Sequence, residues 1–178
     1  MIIKNGVYSF MNIEINQLSH KYAVRKMYKK DIPCIYEMCL NNQQYYQYCG
    51  KQPSMELIES DLEITPPGFP FSHKYYIGFF CKDVLIAVLD LYDGFPEKDY
   101  AYIGFFMMNF DFQGKGIGSE IISDVTEYLK KNNYRVVRLG IDKDNPQSTH
   151  FWKKNQFEVI KEVKQDEGTI LVAERKLF

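Results

Sequence analysis

Histidine is scarce in this chain of 178 residues: His20, His73 and His150 stand far apart, and no two share the spacing of a metal site. The four cysteines, Cys34, Cys39, Cys49 and Cys81, form no C-x-x-C pair. A zinc framework is therefore not expected, no bound metal is expected, and reduced thiols in the cytoplasm are the simplest reading. No apolar run approaches membrane-spanning length, and the opening MIIKNGVYSF does not read as a secretory leader. No excess of one charge sign exists either. The 22 Lys and Arg nearly cancel the 23 Asp and Glu, which leaves nothing to mark a nucleic-acid or membrane-surface protein. Repeats and low-complexity segments are also missing.

What remains is an ordinary globular composition, rich in tyrosine and phenylalanine, of a length that suits one domain. Apolar residues at helical spacing predict a helix over 31–41, with Ile32, Ile35, Met38 and Cys39 on one face and Pro33 in its first turn. A second helix is predicted over 54–64, ending before Pro66-Pro67-Gly68. The tyrosine-rich stretch 45–53 between them reads as a loop. The period then changes. Strands are predicted over 75–81 and 84–92 around a Lys82-Asp83 hairpin, and over 100–109, with an earlier strand near 23–28. A helix follows up to Asn132-Asn133, then a strand at 135–141, a short helix at 146–155, and a closing hairpin of strands 158–164 and 169–176. The expected fold is mixed α/β: an antiparallel meander followed by one right-handed strand–helix–strand crossover with its two strands parallel.

The crossover is built on FQGKGIGSEII, residues 112–122. Gly114, Gly116 and Gly118 alternate where an amphipathic helix begins, although glycine costs a helix interior about 1 kcal/mol against alanine. A helix start carries unpaired N–H groups and partial positive charge, and glycines let backbone approach an anion closely. Strand, glycine turn and helix together form a phosphate cradle, to which Lys115 would add a flexible positive charge. A turn that merely permits tight strand–helix packing is the structural alternative. The P-loop pattern fails because Gly116, not Ser or Thr, follows Lys115. The dinucleotide fingerprint counted from Gly114 ends on Ser119 and matches only in part.

Gln113-x-x-Gly116-x-Gly118 resembles the Gln/Arg-x-x-Gly-x-Gly/Ala signature of the GNAT superfamily of N-acetyltransferases, which lies between the fourth strand and the third helix, as here. NPQSTHFWKKNQF, residues 145–157, resembles that family's second motif through Asn145, Ser148, Phe151, Trp152 and Phe157. Two positions depart from it: Gln156 stands where a glycine is usual, and Trp152 where a tyrosine is usual. The resemblance runs from 23 to 176 in element order. It implies one GNAT-like domain over 23–178, with residues 1–22 as an N-terminal extension. The implied fold is a central, mostly antiparallel twisted sheet with one splayed parallel strand pair, flanked by helices.

The resemblance also implies roles. Acetyl-CoA would be the co-substrate, its pyrophosphate held by the amides of Gly114, Lys115, Gly116, Ile117, Gly118 and Ser119, with Gln113 closing the turn. Its pantetheine arm would pair with the backbone of Phe106, Met107, Met108 and Asn109 and bond Asn145, with Ser148 nearby and Phe151 and Trp152 beside the thiol end. Trp152 occupies the place of the usual tyrosine acid. Its indole N–H donates but does not titrate, so packing and thioester orientation are its expected part. Among the residues themselves, Asp90 is the candidate base, a carboxylate in the apolar run VLIAVLDLY and on the strand face opposite Leu89 and Leu91. An ordinary ion pair is the alternative for it. Tyr92 and Tyr102 are further candidates, and His150 reads as a solvated helix residue. Tyr45, Tyr46 and Tyr48, with Phe69 and Phe71, would cover the acceptor or simply pack. The implied reaction is acetyl transfer to a primary amine of a small molecule or peptide, by a monomer or homodimer. The competing readings are a non-catalytic acyl-CoA-binding module and a dinucleotide-type domain.

Overall fold

The computed structural model describes residues 11–50, 52–166 and 168–178. The strands are β1 (Ala23–Lys26), β2 (Lys74–Cys81), β3 (Val84–Asp93), β4 (Tyr100–Met108), β5 (Val136–Asp142), β6 (Glu158–Gln165) and β7 (Gly168–Lys176). The helices are α1 (Ile32–Leu40), α2 (Gln43–Cys49), α3 (Met55–Glu63), α4 (Ile117–Lys131) and α5 (Pro146–Lys154). The strands form one sheet in the order β1-β2-β3-β4-β5-β7-β6. Among the described residues only β4 and β5 pair in parallel; the other pairings are antiparallel.

Strand alternation divides the core in two. Tyr75, Ile77 and Phe79 of β2 and Ala87, Leu89 and Leu91 of β3 face one cluster, with Ile121, Ile122, Val125 and Leu129 of α4. Tyr76 and Val88 face the other, with Ile35 and Met38 of α1 and Ile58 and Leu62 of α3. Each fully buried aliphatic side chain there contributes roughly 1.5–3 kcal/mol relative to exposure. Ser54 caps α3 by accepting from the Leu57 amide at 3.1 Å. Glu120 in the first turn of α4 and Lys130 and Lys131 in its last complement the helix dipole.

One expectation needs correction. The stretch read as a loop over 45–53 begins as a helix, α2, which ends at Gly50 in the left-handed region (φ 66°). The run QQYYQYC shows no apolar period, so its helical state comes from tertiary contacts: Tyr46 is buried, and Tyr45 packs edge-on against Tyr46 and Phe105.

The extension read over 1–22 lies partly outside the described residues, at 1–10. Residues 11–22 pack on the sheet and α4, with Leu18 fully buried and Ile13 nearly so. Their backbone is held by side chains of the domain. The Asn12 amide donates to Asp93 (3.2 Å), Ile13 to the Tyr75 hydroxyl (3.2 Å) and Glu14 to the Tyr128 hydroxyl (2.7 Å). Asp93, fully buried, also accepts from the Tyr134 hydroxyl at 2.6 Å.

The helices α4 and α5 end in the same hydrogen-bonded turn. After α4, Asn133 takes φ 65°, its amide bonds to Lys130 and that of Tyr134 to Leu129. After α5, Gln156 takes φ 67°, its amide bonds to Lys153 and that of Phe157 to Trp152. These are Schellman caps, whose left-handed residue is most often glycine. The cap explains why a glycine fits at 156 and why the glutamine there is strained. Gln156→Gly is expected to stabilise the fold by about 0.5–1 kcal/mol, since left-handed backbone costs a side-chain-bearing residue roughly 1–2 kcal/mol and glycine's extra unfolded-state freedom offsets part of it. A thermal melt should show Tm higher by about 1–4 °C. A lower Tm would mean that the Gln156 side chain contributes more than its backbone costs.

Candidate active site

The site begins where the sheet opens. β4 and β5 pair from Tyr100↔Val136 to Ile103↔Leu139 and then part. Residues 104–108 of β4 continue along β3 alone. The opening starts at a bulge: Asp90 faces Phe105 and Leu91 faces Ile103, so Gly104 is an extra residue in β4. A Cβ on Gly104 would lie 2.7 Å from the Tyr92 ring and 3.0 Å from Asp90 Oδ2. Only glycine lets the bulge come that close.

Aromatic rings fill the opening. Phe151 stacks on Phe106 at 5.7 Å, and Trp152 meets Phe106, Phe151 and Phe157 edge-on at 5.9, 5.0 and 5.0 Å. Beside them runs a groove of about 330 Å³. It brings together Phe106, Met107, Met108, Gln113, Gly114, Gly116, Gly118, Ser119, Asn145, Ser148, Phe151 and Trp152, all singled out in the sequence.

The alternate glycines serve two purposes. Gly114 and Gly116 adopt φ 72° and 79°, with open space where a Cβ would stand. Gly118 has no such φ; a Cβ there would sit 3.2 Å from the Phe151 ring and 3.3 Å from Met108. The first two shape the turn, and the third lets α4 start against the aromatic wedge.

Three expected residues stand apart from the groove lining. Lys115 is exposed, with its Nζ 2.7 Å from the Asp111 carbonyl oxygen. Ile117 is the first residue of α4 and packs toward the core. Asn109 departs from the pairing expected of its amide, which already donates to the Ile86 carbonyl at 2.8 Å. Its side chain accepts from the Asp111 amide and donates to Leu85. Asn145 is buried and caps α5 by accepting from the Ser148 amide at 2.9 Å.

Asn42 went unnoticed in the sequence. It follows α1, and its Nδ2 donates to the carbonyls of Met38 (2.8 Å) and Met108 (3.1 Å). Its Oδ1 accepts from Gln113 Nε2 at 2.6 Å, and that nitrogen also reaches Met108 O at 3.2 Å. Gln113 thus closes the turn, but against α1 as well as β4. Nothing in the local sequence ties residue 42 to residue 113.

A second pocket, of about 350 Å³, lies beside the bulge, lined among others by Asp90, Tyr92, Gly104, Phe105, Asp61, Asp142 and Tyr45, Tyr46 and Tyr48. Among the described residues that line it, none is basic. Phe69 packs on Tyr92 at 5.6 Å, whereas Phe71 stays exposed. Asp90 lies on the face opposite Leu89 and Leu91, as expected, but not alone. Its Oδ2 is 2.6 Å from Lys74 Nζ and accepts from the Tyr92 hydroxyl at 2.8 Å; Lys74 also donates to Tyr92 at 2.9 Å. Burial pushes the Asp90 carboxyl above the usual carboxylate range, although Lys74 and Tyr92 pull it back. Burial and the Asp90 charge push the Tyr92 hydroxyl far up. Burial, with Asp144 nearby, raises Asp142.

A mostly antiparallel sheet opened at one parallel pair, with a glycine turn and helix start at the mouth, defines the GNAT type of acyltransferase fold. The family model described as acetyltransferase (GNAT) family matches residues 35–157, and the chain belongs to that family. A curated relative, an uncharacterised N-acetyltransferase of Methanocaldococcus jannaschii, is 34% identical over 68 residues. That match covers 38% of this chain and 30% of the relative's length. Among solved structures, an acetyltransferase of Thermus thermophilus superposes with a TM-score of 0.71 at 21% identity, covering 88% of this chain and 97% of its own. A Salmonella typhimurium acetyltransferase that modifies the N-terminal serine of ribosomal protein L7/L12 gives 0.68 at 21%, covering 89% and 96%. A Thermoplasma acidophilum N-acetyltransferase in complex with coenzyme A gives 0.63 at 17%, covering 87% and 98%. At these identities the likeness to solved structures is one of fold.

The Asn42–Gln113–Met108 network should carry much of the groove's shape. Asn42→Ala removes three hydrogen bonds and leaves the Met108 carbonyl with Gln113 alone. It is expected to destabilise the fold by about 1–3 kcal/mol, measured by urea unfolding. A midpoint unchanged from the wild type would show that water replaces the lost amide without cost.

Proposed function

We propose that the chain transfers the acetyl group of acetyl-CoA to a primary amine of a small molecule or peptide, by direct attack in a ternary complex. The observation that carries this reading is the splay. Beyond Ile103, alternate N–H groups of β4 face away from β3 and toward the groove. A pantetheine arm, which is itself amide-bearing, would pair with them like an added strand. The glycine turn at the end of that edge offers helix-start amides to the pyrophosphate. The cradle fits such a group: open space flanks Gly114 and Gly116, and the aromatic wedge closes the far side. Phe151 and Trp152 pack at that end, where the thioester would be oriented.

The second pocket receives the amine. Its acidic lining attracts a cation, and its tyrosines give the acceptor an apolar wall. Only a neutral amine attacks, and an amine with pKa near 10.4 is neutral in about one molecule in a few thousand at pH 7. Asp90 takes the proton, directly or through water. Developing charge on the thioester oxygen needs a donor, which the N–H groups freed at the bulge would supply. The coenzyme A thiol, with a pKa of about 8.5, leaves as thiolate without an acid at Trp152. Cys34, Cys39 and Cys81 are free thiols, which suits the cytoplasm. Among the described residues no helix is long and apolar enough to cross a membrane.

Two variants test the two halves of the site. Gly118→Val places methyls against Phe151 and Met108. It should weaken acetyl-CoA binding by about tenfold or more, roughly 1.4 kcal/mol, in titration calorimetry, with a near-native circular dichroism spectrum. Asp90→Asn should lower kcat by about 10²–10⁴-fold and leave acetyl-CoA affinity within about twofold, with free thiol release as the readout. In the wild type, the acid limb of kcat should lie above the usual carboxylate range, because burial disfavours the charged Asp90. Acetyl-CoA binding with no thiol release from any amine in a broad panel would favour the non-catalytic binding module. No binding at all would end the assignment.

A further inference from the structure

Lys74 opens β2 directly opposite Tyr92 of β3, and its side chain is only 1% exposed. Lysine is almost never buried without a partner. Its partners here are Asp90 Oδ2 at 2.6 Å and the Tyr92 hydroxyl at 2.9 Å, and its ammonium sits 4.7 Å over the Tyr92 ring. Stability alone is a poor explanation, since an apolar pair of similar volume often stabilises a core as well or better. The arrangement is lopsided. Oδ2 of Asp90 holds two donors, while Oδ1, which is buried, has none among the described residues. An orphaned buried oxygen is uncommon and needs a reason. The cluster also stands at the bulge, with Gly104 close enough that a Cβ would meet both Asp90 and Tyr92.

We infer that Lys74 is a positioning residue for acetyl transfer: it anchors Asp90 by Oδ2, keeps the carboxylate ionised, and leaves Oδ1 without a protein donor that would compete for the proton. This rests on the reading of Asp90 as the base. In the step itself the amine nitrogen bonds the acetyl carbon, the C–S bond breaks, and the sulfur leaves as thiolate. The nitrogen's proton passes to the Asp90 carboxylate, and Lys74 only holds that carboxylate in place. Lys74 of β2 and Tyr92 of β3 bond Asp90, and Tyr76 of β2 lies beside it; Tyr46 of α2 and Asp61 of α3 stand near Tyr76, Tyr102 of β4 packs on Tyr92, and Asp61 and Asp142 share the pocket that Asp90 lines. Lys74 is the one cation in this set, so its removal should make the carboxylate markedly harder to ionise.

The test compares Lys74→Met, Asp90→Asn and the double variant with the wild type. Carbon NMR of labelled aspartates follows the Asp90 carboxyl, assigned by its loss in Asp90→Asn. In Lys74→Met the Asp90 titration and the acid limb of kcat should both move to higher pH by about one unit or more. Acetyl-CoA affinity should stay within about twofold. Asp90→Asn and the double variant should turn over at the same rate, because Lys74 acts through Asp90. Unchanged titration and acid limb in Lys74→Met would overturn the inference. Should that variant fail to fold, a further tenfold loss in the double variant relative to Asp90→Asn would overturn it instead. The carbon titration needs no turnover, so two failures stay distinct. A wrong functional reading abolishes thiol release and keeps the Asp90 shift; a wrong role for Lys74 keeps thiol release and abolishes the shift.

Discussion

Everything at the site depends on β4 and β5 ceasing to pair after Ile103 and Leu139. Parallel strands usually continue a ladder as far as their lengths allow, because unpaired backbone groups are costly when buried. Here two constraints prevent it. The Gly104 bulge turns β4, and the wedge of Phe106, Phe151 and Trp152 occupies the space into which β5 would close. The opening leaves backbone donors on one edge and a groove beside them. At its end the glycine turn, Gln113 and Asn42 set where α4 begins. Removing the wedge would cost more than packing, because the strands would then have a reason to zip.

The strand β3 carries two buried carboxylates on opposite faces, and their surroundings assign them different work. Asp93 is fully buried and well partnered: Tyr134 donates to one oxygen, and the Asn12 amide and His73 reach the other. It ties Asn12 to the sheet. Asp90 has one oxygen with two donors and one buried oxygen with none among the described residues, and it lines a pocket. Three residues apart on one strand, the same side chain is a structural anchor in one place and a candidate base in the other.

Much of this was legible in the sequence. The order of elements followed from period changes at the Lys82-Asp83 turn and after Gly118, and strand alternation put Asp90 opposite Leu89 and Leu91. The glycine turn was found because glycines and helix starts carry local signatures, whereas the strand and α5 residues of the groove came from the resemblance to the GNAT motifs. Other parts left no such trace. α2 has no apolar period and is held by ring contacts from β4. Lys74 stood one residue outside the expected strand, where a lysine reads as a solvated flank. Gly104 did leave a mark, an isolated glycine inside a strand pattern, which signals a bulge or a close backbone approach.

Local chemistry therefore determined what can be computed from neighbours along the chain: strand alternation, helix faces, caps and a turn that only glycine fits. Tertiary structure decided which distant groups meet. Asn42 and Gln113 are 71 residues apart, and Lys74 and Asp90 are 16 apart, and each pair lies at 2.6 Å. Those distances come from a sheet register and a bulge that many side chains set together. The effect of burial on Asp90 exists only once that register has brought the chain around it.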